Sequence, residues 1–402
     1  MKKTLLIVSI LALAAAGCGK VPAADPSESA SGDEDLAGET VNAGEVEGVS
    51  KLFVLNEGGY GSNNASLDFL RFSDGKYVRG AYSLMNPSVT LGLGDVGNDI
   101  AIAGTKIWIA VNNSGFVEVV SALDETRIAS VEVPMPRNIA IAGKYAYVTS
   151  YNGAYVISDP ATYEVTDFRN LRGAVYKIDT ETYKVVGKVE VGYQPEGIAA
   201  YGGKLYVANS GGLSAMITYS YDNTLSIIDM DSFTVERTVE VAPNPDEVYS
   251  DGMGNIYVTS FGDYFTVPSG LYVLPADNPS HVTKVEKEGA GFSFGVTCSA
   301  LEGDTLWCIS ASNEFDWGAE HEYTLWSVKD GAIDVYNSFD CKAATPCGLY
   351  VLSDAYGIRR SIFLSDAGDY FNPGTLYCYD ADALSVKWSV TTGVIPAHFA
   401  VW

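Results

Sequence analysis

From Lys51 to the C-terminus, apolar and polar residues alternate in short runs that are rich in Val, Ile, Tyr and Thr. Gly, Asp and Asn interrupt these runs at short intervals. A period of two with such interruptions predicts β-strands joined by tight turns, and nothing in it predicts a helix. The polar and aromatic stretch 151–172 predicts a long loop. We expect residues 51–402 to form one all-β domain, because no linker-like composition recurs after Ser50.

A phrase of two strands and a tight turn recurs along this domain. Its clearest copies begin at Asn98, Pro136, Pro195 and Pro245, and weaker copies begin at Phe292 and Pro346. Each copy is followed by a third strand and a fourth. Four-stranded units that recur roughly every 40–60 residues are typical of a β-propeller, in which each unit is one blade. Six such units can be recognised in full.

The seventh unit is divided between the two ends of the domain. The strand that starts at Lys51, "KLFVLNEG", has no first strand before it, and the C-terminal "IPAHFAVW" has the pattern of that missing strand. Pairing the two would complete a seventh blade and leave no open sheet edge between the first and last blades. The sequence therefore predicts a seven-bladed β-propeller, closed by pairing the C-terminal strand into the N-terminal blade.

The N-terminus carries a targeting pattern. Lys2 and Lys3 precede an apolar run that is too short to span a bilayer, and small residues lead into Cys18. This pattern resembles a bacterial lipobox, which predicts a lipoprotein signal peptide over residues 1–17 and lipidation of Cys18. The alternative is an ordinary secretory signal that happens to be followed by Cys. No later stretch is long and apolar enough to cross a membrane.

Residues 18–50 are predicted to be a flexible acidic tether. After Cys18 the segment is rich in Ala, Gly, Ser, Asp and Glu and has no aromatic residue, so it has little apolar area to offset its ordering entropy. An acidic stretch soon after a lipidated Cys resembles the signal that sends Bacteroidetes lipoproteins to the outside of the cell. This resemblance implies an outer-membrane, lipid-anchored protein that faces the exterior. A generic solvated linker remains the alternative.

Composition and charge narrow the classes of partner. Hydrophobic residues make up 47% of the 402-residue chain, which is enough for a large core. There are 25 Lys and Arg against 50 Asp and Glu, for a net charge of -25. Nucleic acids and anionic lipid surfaces are bound by clustered positive charge, so this acidity argues against both.

Loop lengths differ sharply between the two faces of the predicted propeller. With strands lettered A to D from the axis outward, the A–B and C–D turns share one face, where they are short. The B–C loops lie on the other face with the crossings between blades, and nearly all of them are long. Function usually resides in loops that the scaffold does not need. These long loops contain Tyr60, Tyr151, Tyr155, Tyr219, Tyr221, Tyr264, Phe265, Phe315, Trp317, Tyr370 and Phe371.

We interpret the long-loop face as a binding surface. Exposed aromatic rings among Asn, Asp and Gly supply flat contact area and adaptable hydrogen bonds. For any single ring, packing that holds a long loop in place is an equal alternative. The candidate ligand-binding residues are Asn56, Tyr60, Asn112, Arg137, Tyr151, Gln194, Asn209, Tyr264, Phe315, Trp317, Tyr370 and Phe371.

Two groups of polar residues on this face also fit a purely structural role. The Asn or Ser that closes most B strands favours a structural hydrogen bond to the loop backbone. Four residues of the blade crossings, near the mouth of the central channel, could face a ligand or cap strand ends. They are Arg137, Gln194, Asp246 and His398.

No catalytic constellation is found. The three His fall in three different blades, and no nucleophile elbow, zincin helix or phosphate-binding loop occurs. Lactonase-type propellers hold Ca²⁺ at the axis, and the residues that imitate their ligands loosely are Glu57, Asn112, Asn209 and Asp246. We therefore expect a non-enzymatic protein with no metal and no catalytic cofactor.

Five cysteines follow Cys18. A hairpin that turns at Gly303 would place Cys298 opposite Cys308, and Cys341 and Cys347 would close a short loop. Both pairs are possible disulfides in an oxidising location, and reduced thiols remain equally possible for the first pair. A fifth cysteine, Cys378, is expected to be a free thiol on a C strand.

The repeats also carry a resemblance. "FVLNEGGYGSNNASL", "LYVANSGG" and the recurring P-x-x-I/V resemble the YncE-like, surface-layer-like propeller lipoproteins of gut Bacteroidetes. That family includes a surface lipoprotein that captures vitamin B12 above an outer-membrane transporter. The resemblance implies capture of cobalamin or a related corrinoid and delivery to a TonB-dependent transporter. A propeller that binds a glycan or a protein is the alternative, and a Ca²⁺-dependent lactonase-type hydrolase is a weaker one.

Overall fold

Seven antiparallel four-stranded sheets form the body of the molecule. The computed structural model describes residues 38–153, 156–159, 164–166, 172–212, 221–288, 294–312, 320–336 and 339–402. The first strands of successive blades contact one another around an axis, and the other three strands follow outward. The predicted seven-bladed β-propeller is confirmed.

The elements follow the chain in blade order. The N-terminal part contributes β1 (Glu39–Thr40), β2 (Lys51–Asn56), β3 (Ser66–Arg71), β4 (Lys76–Val78) and the helix α1 (Ala81–Met85). Blade 1 consists of β5 (Gly97–Ala103), β6 (Lys106–Val111), β7 (Phe116–Ser121) and β8 (Arg127–Glu132). Blade 2 consists of β9 (Pro136–Ala142), β10 (Tyr145–Ser150), β13 (Ala174–Asp179) and β14 (Lys184–Glu190), with the inserted hairpin β11 (Val156–Asp159) and β12 (Glu164–Thr166).

The remaining blades have no inserted strands within the described residues. Blade 3 consists of β15 (Pro195–Tyr201), β16 (Lys204–Asn209), β17 (Thr224–Asp229) and β18 (Thr234–Glu240). Blade 4 consists of β19 (Pro245–Ser250), β20 (Asn255–Ser260), β21 (Gly270–Pro275) and β22 (Thr283–Lys284). Blade 5 consists of β23 (Cys298–Glu302), β24 (Thr305–Ala311), β25 (Tyr323–Lys329) and β26 (Ala332–Tyr336). Blade 6 consists of β27 (Pro346–Ser353), β28 (Arg359–Asp366), β29 (Thr375–Asp380) and β30 (Val386–Thr391).

Blade 7 closes the ring with strands from both ends of the chain. The last strand, β31 (Pro396–Val401), pairs antiparallel with β2, in a register that sets Val401 opposite Leu52. The order of this sheet from the axis is β31-β2-β3-β4-β1. The predicted split blade is therefore confirmed.

The segment 38–50 differs from the predicted flexible tether. Its strand β1 adds a fifth strand to blade 7 by pairing with β4. Four apolar side chains further along pack against the core between blades 6 and 7, and they are Val41, Ala43, Val46 and Val49. These spaced apolar residues in an otherwise acidic stretch provide the buried area that holds the segment in place.

Hydrophobic cores lie between neighbouring blades. Alternate side chains of a strand point to opposite faces of its sheet, so each inner strand supplies two cores. On β6, for example, Trp108 and Ala110 pack toward blade 2, whereas Ile107 and Ile109 pack toward blade 7. Each fully buried large side chain contributes about 1.5–3 kcal/mol by its removal from water.

Two local features depart from the sequence prediction. The helix α1 spans five residues, a length at which the 3.6-residue period is not visible in the sequence. The stretch 151–172, predicted to be a loop, contains the hairpin of β11 and β12. Within the described residues, no helix is long and apolar enough to cross a bilayer. Residues 1–37, including Cys18, lie outside the described residues.

The predicted disulfides are absent, since all five cysteines that the structure describes are free thiols. Cys298 lies opposite Ile309 and Cys308 opposite Ser299, so the predicted register is wrong by one residue. Residues one position out of register point to opposite faces of a sheet. Cys298 accordingly packs between blades 5 and 6, and Cys308 packs between blades 4 and 5.

Cys341 and Cys347, the second predicted pair, each contact a different group and are not bonded to one another. The Cys341 thiol donates to the Ala343 carbonyl at 3.6 Å, and the Cys347 thiol lies 3.3 Å from the Ser365 hydroxyl. Burial raises the pKa of Cys341 to about 11 and that of Cys347 to about 12, so both thiols are protonated at neutral pH. Cys378 is a buried thiol on β29, as predicted.

Candidate ligand-binding face

The chain enters five of the seven inner strands through a sharp bend at the long-loop face. In five blades, the residue just before the inner strand has a positive φ, between 42° and 62°, and these residues are Val96, Met135, Gln194, Asn244 and Ile395. Non-glycine residues seldom adopt this conformation. The bend is followed by side chains that line the channel around the axis, which has a volume of about 520 Å³.

The second and third residues of several inner strands give this channel a polar wall. They are Asn98, Asp99, Arg137, Asn138, Glu196, Asp246, Glu247 and His398. Because they occupy equivalent places in successive blades, they lie at similar depth beneath the long-loop face. Three of the four crossing residues singled out from the sequence, Arg137, Asp246 and His398, belong to this wall.

Arg137 is the centre of a hydrogen-bond network at the mouth of the channel. Its Nε donates to Glu196 Oε2 at 2.7 Å, and its guanidinium also donates to the Asn98 side-chain oxygen. The Tyr151 hydroxyl donates to the same Glu196 carboxylate, and its ring lies 4.9 Å from the guanidinium carbon. Burial is the main cause that raises the pKa of Tyr151 well above its usual value. The predicted site residues Arg137 and Tyr151 are thus brought together, and Glu196 joins them.

A second pair of charged groups, His398 and Glu57, also lines the channel. His398 Nε2 and Glu57 Oε1 are 2.9 Å apart. Burial by itself lowers the pKa of His398, but the hydrogen bond and charge of Glu57, with the charges of Asp99 and Glu247, outweigh it and raise the pKa. Protonated His398 is therefore stabilised by the surrounding carboxylates.

Three further carboxylates make the channel acidic. Asp99 accepts hydrogen bonds from the backbone N–H groups of Ile100 and Ile139, at 2.8 and 2.7 Å. Burial, followed by the charge of Asp99, raises the pKa of Glu247 to about 7. Burial and the adjacent Glu247 raise the pKa of Asp246 well above its usual value. Crowding like charges in a narrow channel makes their ionisation costly.

The predicted asparagines at the ends of the B strands do not face the channel or the solvent. Asn112 Nδ2 donates to the Pro136 carbonyl at 3.0 Å, and Asn209 Nδ2 donates to Thr224 and Ser226 at 3.0 Å. Asn56 donates in the same way to Ser66 at 3.0 Å. All three side chains are buried. These contacts agree with the structural alternative, in which the three asparagines tie strand ends to neighbouring backbone and hydroxyl groups.

Gln194 also contacts groups within the protein. Its side chain is buried, and its carbonyl accepts hydrogen bonds from the Ser210 backbone and hydroxyl at 3.1 and 2.9 Å. It forms the bend before β15 with a φ of 42°. The channel residue of this blade is Glu196, two positions later.

Two long loops carry the same four-residue sequence, Gly-Asp-Tyr-Phe, at 262–265 and 368–371. In the first loop the Asp263 carboxylate accepts from the N–H of Phe265 at 2.9 Å. In the second loop the Asp369 carboxylate accepts from the N–H of Phe371 at 3.0 Å. The same backbone device therefore shapes both loops, one in blade 4 and one in blade 6.

The tyrosine of each copy has a left-handed backbone, with φ of 60° at Tyr264 and 65° at Tyr370. Such conformations at non-glycine residues cost about 1–3 kcal/mol each, and they cluster at functional sites. Burial and then the charge of Asp246 raise the pKa of Tyr264. Burial raises that of Tyr370, and the charge of Glu57 contributes. Both phenols thus lie close enough to the charged mouth of the channel to be affected by it.

Exposed rings, which we call the aromatic rim, lie in three of the long loops on the face where the channel opens. Their exposed fractions are 47% for Tyr60, 41% for Phe265, 48% for Tyr370 and 48% for Phe371. Tyr264 instead stacks on Phe261 at 6.1 Å and contacts Tyr221 at 6.4 Å, so it holds loops of two blades together. The predicted residues Phe315 and Trp317 lie outside the described residues.

A larger cavity, of about 1060 Å³, lies on the opposite face between the segment 43–50 and blades 6 and 7. Three of its basic groups are engaged in ion pairs: Lys51 with Glu125, Arg71 with Asp74 and Arg360 with Asp354. Of the other two, Arg359 lies over the Trp307 ring at 4.5 Å, and Lys387 donates to the Ser361 hydroxyl at 3.5 Å. Within the described part of the chain, the aromatic residues that line it are Phe72, which is buried, and Trp402, which is half-buried. We therefore take the channel mouth with its rim as the candidate site. The loosely calcium-like set Glu57, Asn112, Asn209 and Asp246 does not converge, and no metal-binding cluster occurs among the described residues.

The similarity of this chain to known proteins is limited to its fold. No protein-family model matches the chain, and no curated protein sequence matches it significantly. Among solved structures, the chain is similar to one titled Kuenenia stuttgartiensis hydrazine synthase, with a TM-score of 0.54 and 15% identity over 75% of this chain and 88% of that chain. The class defined by the fold is a seven-bladed β-propeller. At this identity the likeness carries no argument about activity.

Sequence reasoning missed Asn98, Asp99, Glu196 and Glu247. The signal was present, because the channel residues stand second and third in the inner strand, after Gly97 in blade 1 and after the Pro of the P-x-x-I/V phrase in blades 2 to 4. Aligning the phrases by blade would have selected these positions and rejected Gln194, which precedes the Pro.

Proposed function

We propose that this chain is a non-catalytic cell-surface lipoprotein that captures cobalamin or a related corrinoid on its long-loop face. It passes this ligand to a TonB-dependent transporter of the outer membrane. The observation that carries the proposal is the duplicated Gly-Asp-Tyr-Phe loop. Two copies of one strained loop, in blades 4 and 6, expose aromatic rings on the face where the polar channel opens.

The size and chemistry of the face favour a broad ligand. The channel, at about 520 Å³, takes a side group, while the exposed rings offer flat contact area above it. A corrin ring is wide and flat, and its edge carries primary amides. Amide groups match the carboxylates and amides of the channel wall by hydrogen bonding, and the ring matches the aromatic rim by dispersion.

Titration calorimetry with cyanocobalamin tests the proposal directly. Truncation of a rim anchor such as Tyr370 or Phe371 to Ala is expected to cost about 2 kcal/mol, which is roughly a 30-fold loss of affinity. Tyr356→Ala is the matched control, because this tyrosine is 72% exposed on the opposite face. Substitution of Lys144 or Lys204 in the short turns is also expected to leave binding unchanged.

The outcomes separate the alternatives. Failure of the unmodified chain to bind cyanocobalamin removes the corrinoid, and binding of a glycan by the same rim would then replace it. Loss of affinity in the Tyr356→Ala control, with Phe371→Ala unaffected, would place the site on the opposite face. The transporter step is tested by co-purification: an outer-membrane TonB-dependent transporter is expected to accompany the lipidated chain, and its absence removes that step.

A further inference from the structure

The channel wall has more carboxylates than cations to match them. Its acidic groups are Glu57, Asp99, Glu196, Asp246 and Glu247, and its basic groups are Arg137 and His398. Tyr249, Cys298 and Cys347 also line it and carry no charge at neutral pH.

Both cationic groups already have partners. Arg137 pairs with Glu196 at 2.7 Å, and His398 pairs with Glu57 at 2.9 Å. Asp99, Asp246 and Glu247 form no salt bridge within the described part of the chain. These three carboxyl groups have no cation of their own, so above the pKa of Glu247, which is about 7, the wall carries excess negative charge beneath the aromatic rim.

Hydrogen bonds within the protein use some of this acceptor capacity. Asp99 accepts from two backbone N–H groups, and Glu247 accepts a longer bond, of 3.3 Å, from Asn138 Nδ2. An ionised carboxylate offers about four acceptor positions, so capacity for further donors remains. A ligand that seals the mouth also excludes water, which strengthens every remaining charge interaction in the channel.

We propose that the channel mouth is a charge filter, which admits protonated amines and primary amides of a ligand and rejects its carboxylates and phosphates. Donor groups satisfy the excess carboxylates by hydrogen bonding, whereas an added anion faces them without a free cation among the described residues of the wall. The filter rests on the proposed function for the identity of the natural ligand. Its charge preference follows from the channel itself and can be measured with simpler molecules.

Small aromatic probes test the filter without a corrinoid. Saturation-transfer NMR of the full chain in 0.15 M salt compares benzylammonium, benzamide and benzoate, which share a ring and differ in their polar group. At pH 8 benzylammonium is expected to bind at least tenfold more tightly than benzoate, with benzamide also ahead of benzoate. At pH 5.5 this ratio is expected to fall at least threefold, because Glu247 gains a proton and His398 is charged.

A matched pair of variants separates the channel from the overall acidity of the protein. Asp246→Asn with Glu247→Gln removes two acidic side chains from the channel and is expected to lower the ratio at pH 8 at least threefold. Glu181→Gln with Glu190→Gln removes two exposed charges and is expected to leave it unchanged. Equal binding of benzoate and benzylammonium by the unmodified chain, or an equal effect of both variant pairs, would overturn the filter.

A second comparison keeps the filter distinct from the proposed function. Cyanocobalamin is compared with derivatives in which one amide at a time is hydrolysed to a carboxylate. If both proposals hold, at least one derivative binds tenfold more weakly at pH 8 and recovers in the Asp246→Asn/Glu247→Gln variant. If cyanocobalamin binds but no derivative shows this weaker, recoverable binding, the filter is refuted and the corrinoid proposal stands. Absence of cyanocobalamin binding refutes the corrinoid proposal, and the benzylammonium-to-benzoate ratio then decides the filter.

Discussion

Replacing Lys51 with Met should destabilise the ring at the blade that closes it. Lys51 lies on β2, and its Nζ donates to Glu125 Oε1 at 2.6 Å and to the Leu123 carbonyl at 2.9 Å, both in blade 1. The ammonium also lies 4.8 Å from the centre of the Phe69 ring. Glu125 is fully buried, so the substitution leaves a carboxylate in the interior without its cation.

The expected loss follows from that burial. Removing one partner of a buried ion pair costs about 3–5 kcal/mol, because the remaining charge is desolvated and uncompensated. Unfolding of residues 38–402 carries an entropy of roughly 0.7–0.8 kcal/mol per kelvin at about 2 cal/mol/K per residue. The melting temperature is therefore expected to fall by about 4–7 °C.

Differential scanning calorimetry of three variants tests this account. Lys51→Met should show the full loss, and Lys51→Met with Glu125→Gln should recover much of it, since no buried charge is then left. Lys204→Met is the matched control, because its partner Glu236 is exposed and such pairs are worth at most about 1 kcal/mol. A loss below about 1 kcal/mol for Lys51→Met, or additive losses in the double variant, would refute the reasoning.

Three further predictions follow from the closure, the channel and the N-terminus. Deletion of residues 394–402 should abolish folding, because it exposes the edge of β2; size-exclusion chromatography and circular dichroism would contradict this by showing a native monomer. Stability should decrease as pH rises from about 5 to 8, since Glu247 and His398 bind protons more tightly in the folded chain than in the unfolded one. Glu247→Gln should flatten this dependence by about 1–3 kcal/mol in chemical denaturation, and an unchanged slope would count against the raised pKa. Cys18→Ala should release the folded protein from the membrane fraction, and retention there would contradict the lipid anchor.

Much of the fold could be predicted because each blade repeats one phrase whose strands and turns are specified locally. Alternation of apolar and polar residues gives the strands, and the glycines of the A–B turns give the hairpins. The residue-by-residue register of one hairpin, formed by β23 and β24, was predicted incorrectly. The predicted register of the β23–β24 hairpin differs from the observed one by a single residue. Because the side-chain period of a strand is two, this difference places Cys308 on the face of the sheet opposite to Cys298.

The site was predicted in part. The long-loop face and its aromatic residues could be inferred from loop lengths, and Arg137 and Tyr151 do meet at the channel. The partners that make the channel acidic, Asp99 and Glu247, are about 150 residues apart in sequence, so their proximity depends on the closed ring. The packed segment 38–50 was missed because its apolar residues are sparse and its partners lie in blades 6 and 7.

The split blade also determines the order of events during synthesis. β2 is among the first strands made and β31 is the last, and their paired residues Leu52 and Val401 are separated by almost the whole chain. At about 5–20 residues per second, a ribosome needs tens of seconds to add the strand that covers β2. During that interval the inner edge of β2 has no partner and can pair with another chain. A chain truncated before β31 keeps this edge unpaired and is expected to aggregate.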